Sequence, residues 1–230
     1  MDEKNNLTEL LDSSYPLLQT LRDICPGTYK HSQSVASMIE RVSDDLSLDV
    51  PFTKVSAMYH DIGKIIFPKC FIENQTEKEN IHDGLDPRIS YYLITKHVSD
   101  SVNILINDEN FPRKIIEIIS QHHGTTVVRY FFSKSGLEDE KAFRYSCCKP
   151  KSIESALLMI CDHIEAISRS EIQVGKFDPN KVIDSTINNL LNDGQLDDVS
   201  MKLGLLRTIK TSLTKELEGT YHKRIDYENT

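Results

Sequence analysis

The sequence predicts an all-α protein, and three observations predict it. Apolar residues recur at three- and four-residue spacing through most of the chain, the signature of amphipathic helices. Prolines and glycines fall between these runs, where helices begin and end. Only residues 127–132 (Val-Val-Arg-Tyr-Phe-Phe) read as a strand, and without a partner run they read equally as helix. The expected count is about seven to nine helices in a single domain spanning 1–230, with residues 1–15 as an N-terminal extension.

In order along the chain, Leu7, Leu10, Leu11, Leu17, Leu18, Leu21 and Ile24 keep helical spacing, with an interruption at Pro16. Pro26-Gly27 ends this segment and Thr28 is the expected N-cap of the next. There His31 lines up with Val35, Met38 and Ile39 and faces inward. Asp44 to Pro51 is a turn, and Phe52 to Tyr59 is a buried helix leading into His60-Asp61-Ile62-Gly63-Lys64. Residues 73–88 are polar and loop-like. Ile89 to Ile106 is a helix with Leu93, His97 and Ile104 on one stripe. Phe111 to His123 is another, closed by Gly124 at its C-terminal cap. Ser133 to Pro150 is a polar loop. Ile153 to Ser168 is the most apolar helix and carries Asp162 on its buried stripe. Residues 178–218 form two further helices separated by Asp193-Gly194-Gln195.

Composition narrows the function classes. The net charge of −8 argues against duplex nucleic acid as a partner, since such binding runs on many Lys and Arg. No apolar run approaches the roughly 20 residues of a membrane span. The amino terminus is not a secretory signal. Five cysteines, an odd number with no Cys-x-x-Cys, fit a reduced cytoplasm better than a disulfide framework or zinc ribbon.

Taken singly, an inward histidine is ordinarily a core residue with one hydrogen bond, and His122-His123 could be an exposed pair at a helix end. Asp162 is harder to dismiss, because a carboxylate on a buried stripe is costly without a cation. Together, His31, His60, Asp61, His97, His122, His123 and Asp162 exceed what one zinc ion needs. They match two divalent ions sharing Asp61. With no thiolate in the set, iron or manganese is expected, with cobalt or nickel able to substitute. Lys64 places a cation beside a bound anion.

The order His … His-Asp … His … His-His … Asp resembles the HD-domain metal phosphohydrolases. The finer pattern is similar to one branch, the HD domain of PgpH-type cyclic-di-AMP phosphodiesterases, normally carried by a seven-helix membrane receptor. It runs over about residues 16–227, through Pro26-Gly27-Thr28-Tyr29, His60-Asp61-Ile62-Gly63-Lys64, Phe71-Ile72-Glu73-Asn74-Gln75, His122-His123-Gly124-Thr125, Asp193-Gly194-Gln195-Leu196 and Tyr221-His222. The segment Ser146-Cys147-Cys148-Lys149, His163 after Asp162, and the absent receptor depart from it; an excised domain and a free-standing enzyme are both compatible with the sequence. The Gly-Tyr-Pro sequence of the sister class that cleaves cyclic-di-GMP is absent.

The resemblance implies a cytoplasmic phosphodiesterase that opens a small cyclic dinucleotide, cyclic-di-AMP, to pApA through a hydroxide bridging two metals. Asp61 and Lys64 would be catalytic. Lys64, Asn80, Arg129, Tyr130 and Arg144 would contact substrate through two further cations, an aromatic face and an amide, although Arg144 in a structural role would simply tie down its loop. The alternatives are hydrolysis of another cyclic nucleotide, oligonucleotide or nucleoside phosphate, and a non-catalytic nucleotide-binding module. A purely structural helical protein would leave His31, His97 and Asp162 inward without partners.

Overall fold

The computed structural model describes residues 3–75 and 80–228, with side chains from Leu7 to Gly219. The described residues form ten α-helices: α1 Glu3–Leu10, α2 Pro16–Ile24, α3 Pro26–Asp45, α4 Val50–Tyr59, α5 Pro87–Ile106, α6 Arg113–Ser120, α7 Arg129–Ser135, α8 Ile153–Gln173, α9 Pro179–Asn192 and α10 Leu203–Glu228. Short 3-10 turns lie at Ile62–Ile66, Pro68–Cys70, Ile72–Asn74 and Glu140–Phe143. No helix among the described residues is long and apolar enough to cross a membrane.

The starts follow local chemistry. Proline opens α2, α3, α4, α5 and α9, where its missing N–H would go unpaired in any case. Asp49 caps α4 by accepting from the Phe52 N–H at 3.1 Å, and Ser152 and Ser155 cap α8 reciprocally. Thr28 is not a cap. Pro26 already starts α3, and Thr28 lies buried within its first turn. Its hydroxyl donates to Glu73 Oε1 at 3.1 Å and accepts from Asn74 Nδ2 at 2.8 Å. Within the 127–132 run, Val127 makes one isolated antiparallel bridge to Arg144, and helix α7 begins at Arg129. That extra short helix and the break at Pro16 raise the helix count above the seven to nine that periodicity predicts.

Helix α3 lies against α2, α4, α8 and α10, and α6 closes over α4, α5 and α8. Val35, Ile39, Tyr59, Ile115, Leu157, Leu158 and Ile187 meet in the shared core. Leu7 and Leu10 of α1 join it, and the Tyr59 hydroxyl donates to the Leu10 carbonyl at 2.7 Å. Two glycines permit contacts on which the site depends. A Cβ on Gly63 would lie 2.2 Å from the His97 carbonyl oxygen, and one on Gly27 would lie 1.8 Å from that of Glu73. Backbone against backbone at these distances admits no side chain.

Candidate metal centre

Five elements deliver the seven predicted ligands to one place. His31 comes from the first turns of α3 and His60 from the end of α4. Asp61 follows it, His97 sits mid-way along α5, His122 and His123 lie in the turn after α6, and Asp162 is on α8. All but His123 are buried, and His123 is half-buried.

Four of the five imidazoles are held by one nitrogen and present the other. The Nδ1–H groups of His60, His97 and His122 donate to the carbonyls of Ala57 (2.7 Å), Ile94 (2.6 Å) and Ile119 (2.6 Å), each three residues earlier. His31 Nδ1 donates instead to Glu165. This arrangement fixes the tautomer and aims Nε2 inward, as the outer partners of metal-ligating histidines do. The Nε2 atoms of His31 and His60 are 3.3 Å apart, as are those of His97 and His122. Two lone pairs facing at that distance repel unless a proton or a metal lies between them.

Asp61 joins the two pairs. Its Oδ2 lies 3.3 Å from His60 Nε2 and 3.7 Å from His31 Nε2. Its Oδ1 lies 3.2 Å from His97 Nε2 and 3.8 Å from His122 Nε2. Each carboxylate oxygen therefore serves a different histidine pair, and the buried Oδ1 has no hydrogen-bond partner. Asp162 Oδ1 adds a contact to His31 Nε2 at 3.0 Å, and its Oδ2 approaches His123 Nδ1 at 3.7 Å. The donors fall into groups compact enough for one ion each: Asp61 with His97, His122 and His123; His31 with His60 and Asp61; and His60 with His122 and Asp162. The cluster fits divalent metal ions.

The electrostatics agree. Asp61, Asp162, Glu165 and Glu73 are buried or nearly so, and the buried cation among them is Lys64, whose Nζ bridges Asp61 Oδ2 (2.7 Å) and Glu73 Oε1 (2.8 Å). Without metal, protons take up the excess charge. Burial, which lowers the pKa of His60, is outweighed by Asp61 and Asp162, and His60 is pushed up to about 10. His122 moves the other way, to about 3, through burial and the neighbouring His60 and His97. Asp61 and Asp162 stay well below the usual carboxylate range, because their histidine partners, with Lys64 beside Asp61, overcome the effect of burial. Glu73 falls to about 2 because Lys64 outweighs its burial.

A cleft of about 300 Å3 opens over the centre, walled by Lys64, Phe71, Glu73, His123, Tyr145 and His163 among others. The predicted substrate contacts distribute around it. Lys64 lines this cleft. Asn80 and Tyr130 line a neighbouring one of about 330 Å3 that shares Phe71, Glu73 and Ile94 with it. Arg129 stands on a third, and its side chain is largely exposed. Arg144 is committed elsewhere: its fork grips both oxygens of Asp193 (2.7 and 3.1 Å), Glu140 and the Thr125 carbonyl (2.7 Å). It thereby ties the 140–145 segment to the end of α9.

Sequence reasoning gives Glu73 and Tyr145 no role and pairs Glu165 with Arg169, whereas the structure sets Glu165 on His31 Nδ1, with the Arg169 guanidinium only at 3.9 Å. Glu165 lies three residues beyond Asp162 on the same helical face, a spacing that could have flagged it. The Tyr145 ring stacks on His123 with centroids 4.3 Å apart. That contact crosses between loops and leaves no trace in spacing. The buried Gln195 also holds the histidine turn, accepting from the Thr125 N–H at 2.9 Å and donating to Thr125 Oγ1 at 2.9 Å.

A family model described as the HD domain matches residues 28–167. The chain is 36% identical over 227 residues to the cyclic-di-AMP phosphodiesterase PgpH of Listeria monocytogenes, covering 97% of this chain and 32% of that protein. It is 35% identical over 225 residues to PgpH of Bacillus subtilis, covering 96% and 32%. The chain thus spans about a third of the length of these curated relatives. Among solved structures, the crystal structure of the L. monocytogenes PgpH HD domain superposes with a TM-score of 0.84 at 36% identity, covering 91% of this chain and 100% of that one. The same domain in complex with cyclic-di-AMP gives 0.83 at 34% identity, with the same coverage.

Proposed function

The chain belongs to the HD-domain family, and from that premise we propose that it is a metal-dependent phosphodiesterase that opens cyclic-di-AMP to linear pApA. The observation that carries this reading is the placement of Asp61, one oxygen toward His31 and His60 and the other toward His97 and His122. The likeness to PgpH of two bacteria supports the choice of substrate.

His31, His60 and Asp61, with Asp162, would hold one divalent cation; Asp61, His97, His122 and His123 would hold the second. The all-imidazole and carboxylate donor set favours iron or manganese. When bound, such a pair supplies a water of lowered pKa and positive charge for the phosphoryl oxygens. The chain's own residues do the rest. Lys64, pinned between Asp61 and Glu73, faces the cleft and offsets negative charge developing on phosphate. Tyr145 holds the His123 ring by stacking, and Glu165 holds that of His31. Asn80 and Tyr130 offer an amide and an aromatic face for a base, and Arg129 offers a second cation. Arg144 acts through the loop it anchors. All five cysteines are free thiols, in keeping with a cytoplasmic reaction.

The test is turnover. The manganese-loaded protein is incubated separately with cyclic-di-AMP, cyclic-di-GMP and the mixed dinucleotide, and the products are resolved by chromatography. Chelator-sensitive conversion of cyclic-di-AMP to pApA is expected. Cleavage confined to another phosphoester, with two metals bound, would refute the substrate and keep the metal centre.

A further inference from the structure

Two adjacent thiols, Cys147 and Cys148, lie in the segment that leads from the metal cleft into α8. That segment is fixed against the histidine turn at both ends. At one end the Tyr145 N–H donates to the Thr126 carbonyl at 2.9 Å, and the Tyr145 ring stacks on His123 and walls the cleft. At the other end the Lys151 N–H donates to Gln121 Oε1 at 2.9 Å, and Lys149 Nζ lies 3.6 Å from Asp197 Oδ2. Between the two ends, residues 146–148 make no backbone hydrogen bond to another described residue. This stretch can therefore change shape without breaking backbone pairing, and the first fixed residue before it is Tyr145.

The two thiols differ in reach. Cys148 is exposed and Cys147 half-buried, whereas Cys25, Cys70 and Cys161 are buried. Burial and the neighbouring Cys148 push the Cys147 thiol up from its ordinary pKa. A thiol-reactive molecule from solvent therefore meets Cys148 first, and Cys147 stands one residue away to resolve the product. A ring closed between neighbours keeps their Cα atoms about 3.8 Å apart, short of the roughly 4.4–6.8 Å that disulfides usually span. Such a bond is strained and easily reduced, which suits a reversible modification and not a structural link.

We propose that Cys147 and Cys148 form a reversible thiol-modification site, closed to a vicinal disulfide by a low-molecular-weight disulfide, and that closure weakens the metal centre through Tyr145. The Cys148 thiolate attacks one sulfur of the reagent. An S–S bond to Cys148 forms, the reagent's own S–S bond breaks, and one thiolate leaves. The Cys147 thiolate then attacks Cys148 Sγ, forming the Cys147–Cys148 bond and expelling the second thiolate. The protein thiols give up two electrons and two protons, and the reagent is reduced to two thiols. Fitting the ring into the 146–149 stretch shifts Tyr145, whose ring holds that of His123. Metal affinity falls at the half-site of His97, His122 and His123 and changes far less at that of His31 and His60. The inference goes beyond the cyclic-dinucleotide reading to the control of its metal centre, and only its turnover readout rests on that reading.

The test equilibrates the metal-free full chain with graded ratios of glutathione to glutathione disulfide, then alkylates and digests it with trypsin. The peptide from Tyr145 to Lys151 carries both thiols and no other cysteine. On the oxidising side it should be lighter by two hydrogen atoms than the reduced peptide, and dithiothreitol should reverse the change. Cys147→Ser should stop at a mixed disulfide with glutathione on Cys148. After removal of glutathione, competition for manganese against a chromophoric chelator compares reduced with oxidised protein. Affinity at the His123 half-site should fall about tenfold on oxidation, and cyclic-di-AMP turnover should fall with it. The double variant Cys147→Ser, Cys148→Ser should bind metal as reduced wild type does and ignore the oxidant. Folded Tyr145→Leu should form the disulfide with no further loss of affinity. Absence of the Cys147–Cys148 bond at every ratio, a glutathione adduct that persists on wild-type Cys148, or a disulfide that leaves metal affinity unchanged would overturn the inference. An equal further loss in Tyr145→Leu would overturn the route through Tyr145. If the reduced, metal-loaded chain cleaves no cyclic-di-AMP, the functional reading fails by itself, and peptide mass and metal affinity still decide this inference.

Discussion

Glu165 is 6% exposed, and its carboxylate accepts the Nδ1–H of His31, which in turn aims Nε2 at Asp61 and Asp162. Four carboxylates (Asp61, Asp162, Glu165 and Glu73) stand against Lys64, and the Arg169 guanidinium reaches Glu165 only at 3.9 Å from a half-exposed position. Glu165→Gln keeps the shape and can still accept from His31, but it removes one negative charge and makes the imidazole a weaker donor to metal. Outer partners of this kind are worth about 10–100-fold in metal affinity, or about 1.4–2.7 kcal/mol. The loss should fall on the half-site holding His31 and His60, and the half-site of His97, His122 and His123 should change much less. Glu165→Ala should be worse, because it leaves Nδ1 buried without a partner and frees the ring to change tautomer. Competition against a chromophoric chelator resolves the two binding steps, and circular dichroism confirms the fold. Two wild-type binding steps in folded Glu165→Gln would refute the claim that this contact tunes a metal ligand.

Asp61→Ala should abolish activity and lose metal at both half-sites, as read by elemental analysis; retention of both metals would remove Asp61 from its bridging role. His82→Ala should keep both metals, because His82 Nε2 is engaged by the Cys70 carbonyl at 2.9 Å; the cost should appear as about 1–3 kcal/mol of stability in urea unfolding. His222→Ala should likewise keep both metals, although its side chain lies outside the described residues. Metal affinity should climb with pH from near 6.5 toward about 10. His60 holds a proton below its raised pKa and must give it up to bind metal; titration calorimetry in buffers of different ionisation enthalpy should record proton release at pH 7.5, and a pH-independent affinity would contradict the coupling. Gly27→Ala should force the Glu73 backbone away from α3 and break the Thr28–Asn74 contacts; a loss of about 1–3 kcal/mol, read as a lower melting temperature, is expected together with slower turnover.

The clustered histidines and aspartates are legible in the sequence because each is a polar residue on an otherwise apolar stripe, or adjoins a helix end. His31 among Val35, Met38 and Ile39 is such a case, and Asp162 between Leu158 and Ala166 is another. Periodicity locates them without knowing how the helices pack. It placed the cap of α3 wrongly, because Pro26 both ends one helix and opens the next, and Thr28 is used for a tertiary contact. It left 127–132 undecided because a strand needs a partner and a single bridge to Arg144 is not a sheet. The close approach of the α5 backbone to Gly63 likewise depends on a distant segment. Contacts that depend on two distant segments meeting, such as Glu165 with His31, Tyr145 with His123 and Arg144 with Asp193, have no local signature.

The most direct test of the account is to titrate manganese into metal-free protein while measuring bound metal and cyclic-di-AMP hydrolysis on the same sample. Two equivalents should bind, pApA production should rise with occupancy of the second, and both should be lost on chelation. Full activity at one equivalent, or activity that survives removal of all metal, would contradict it.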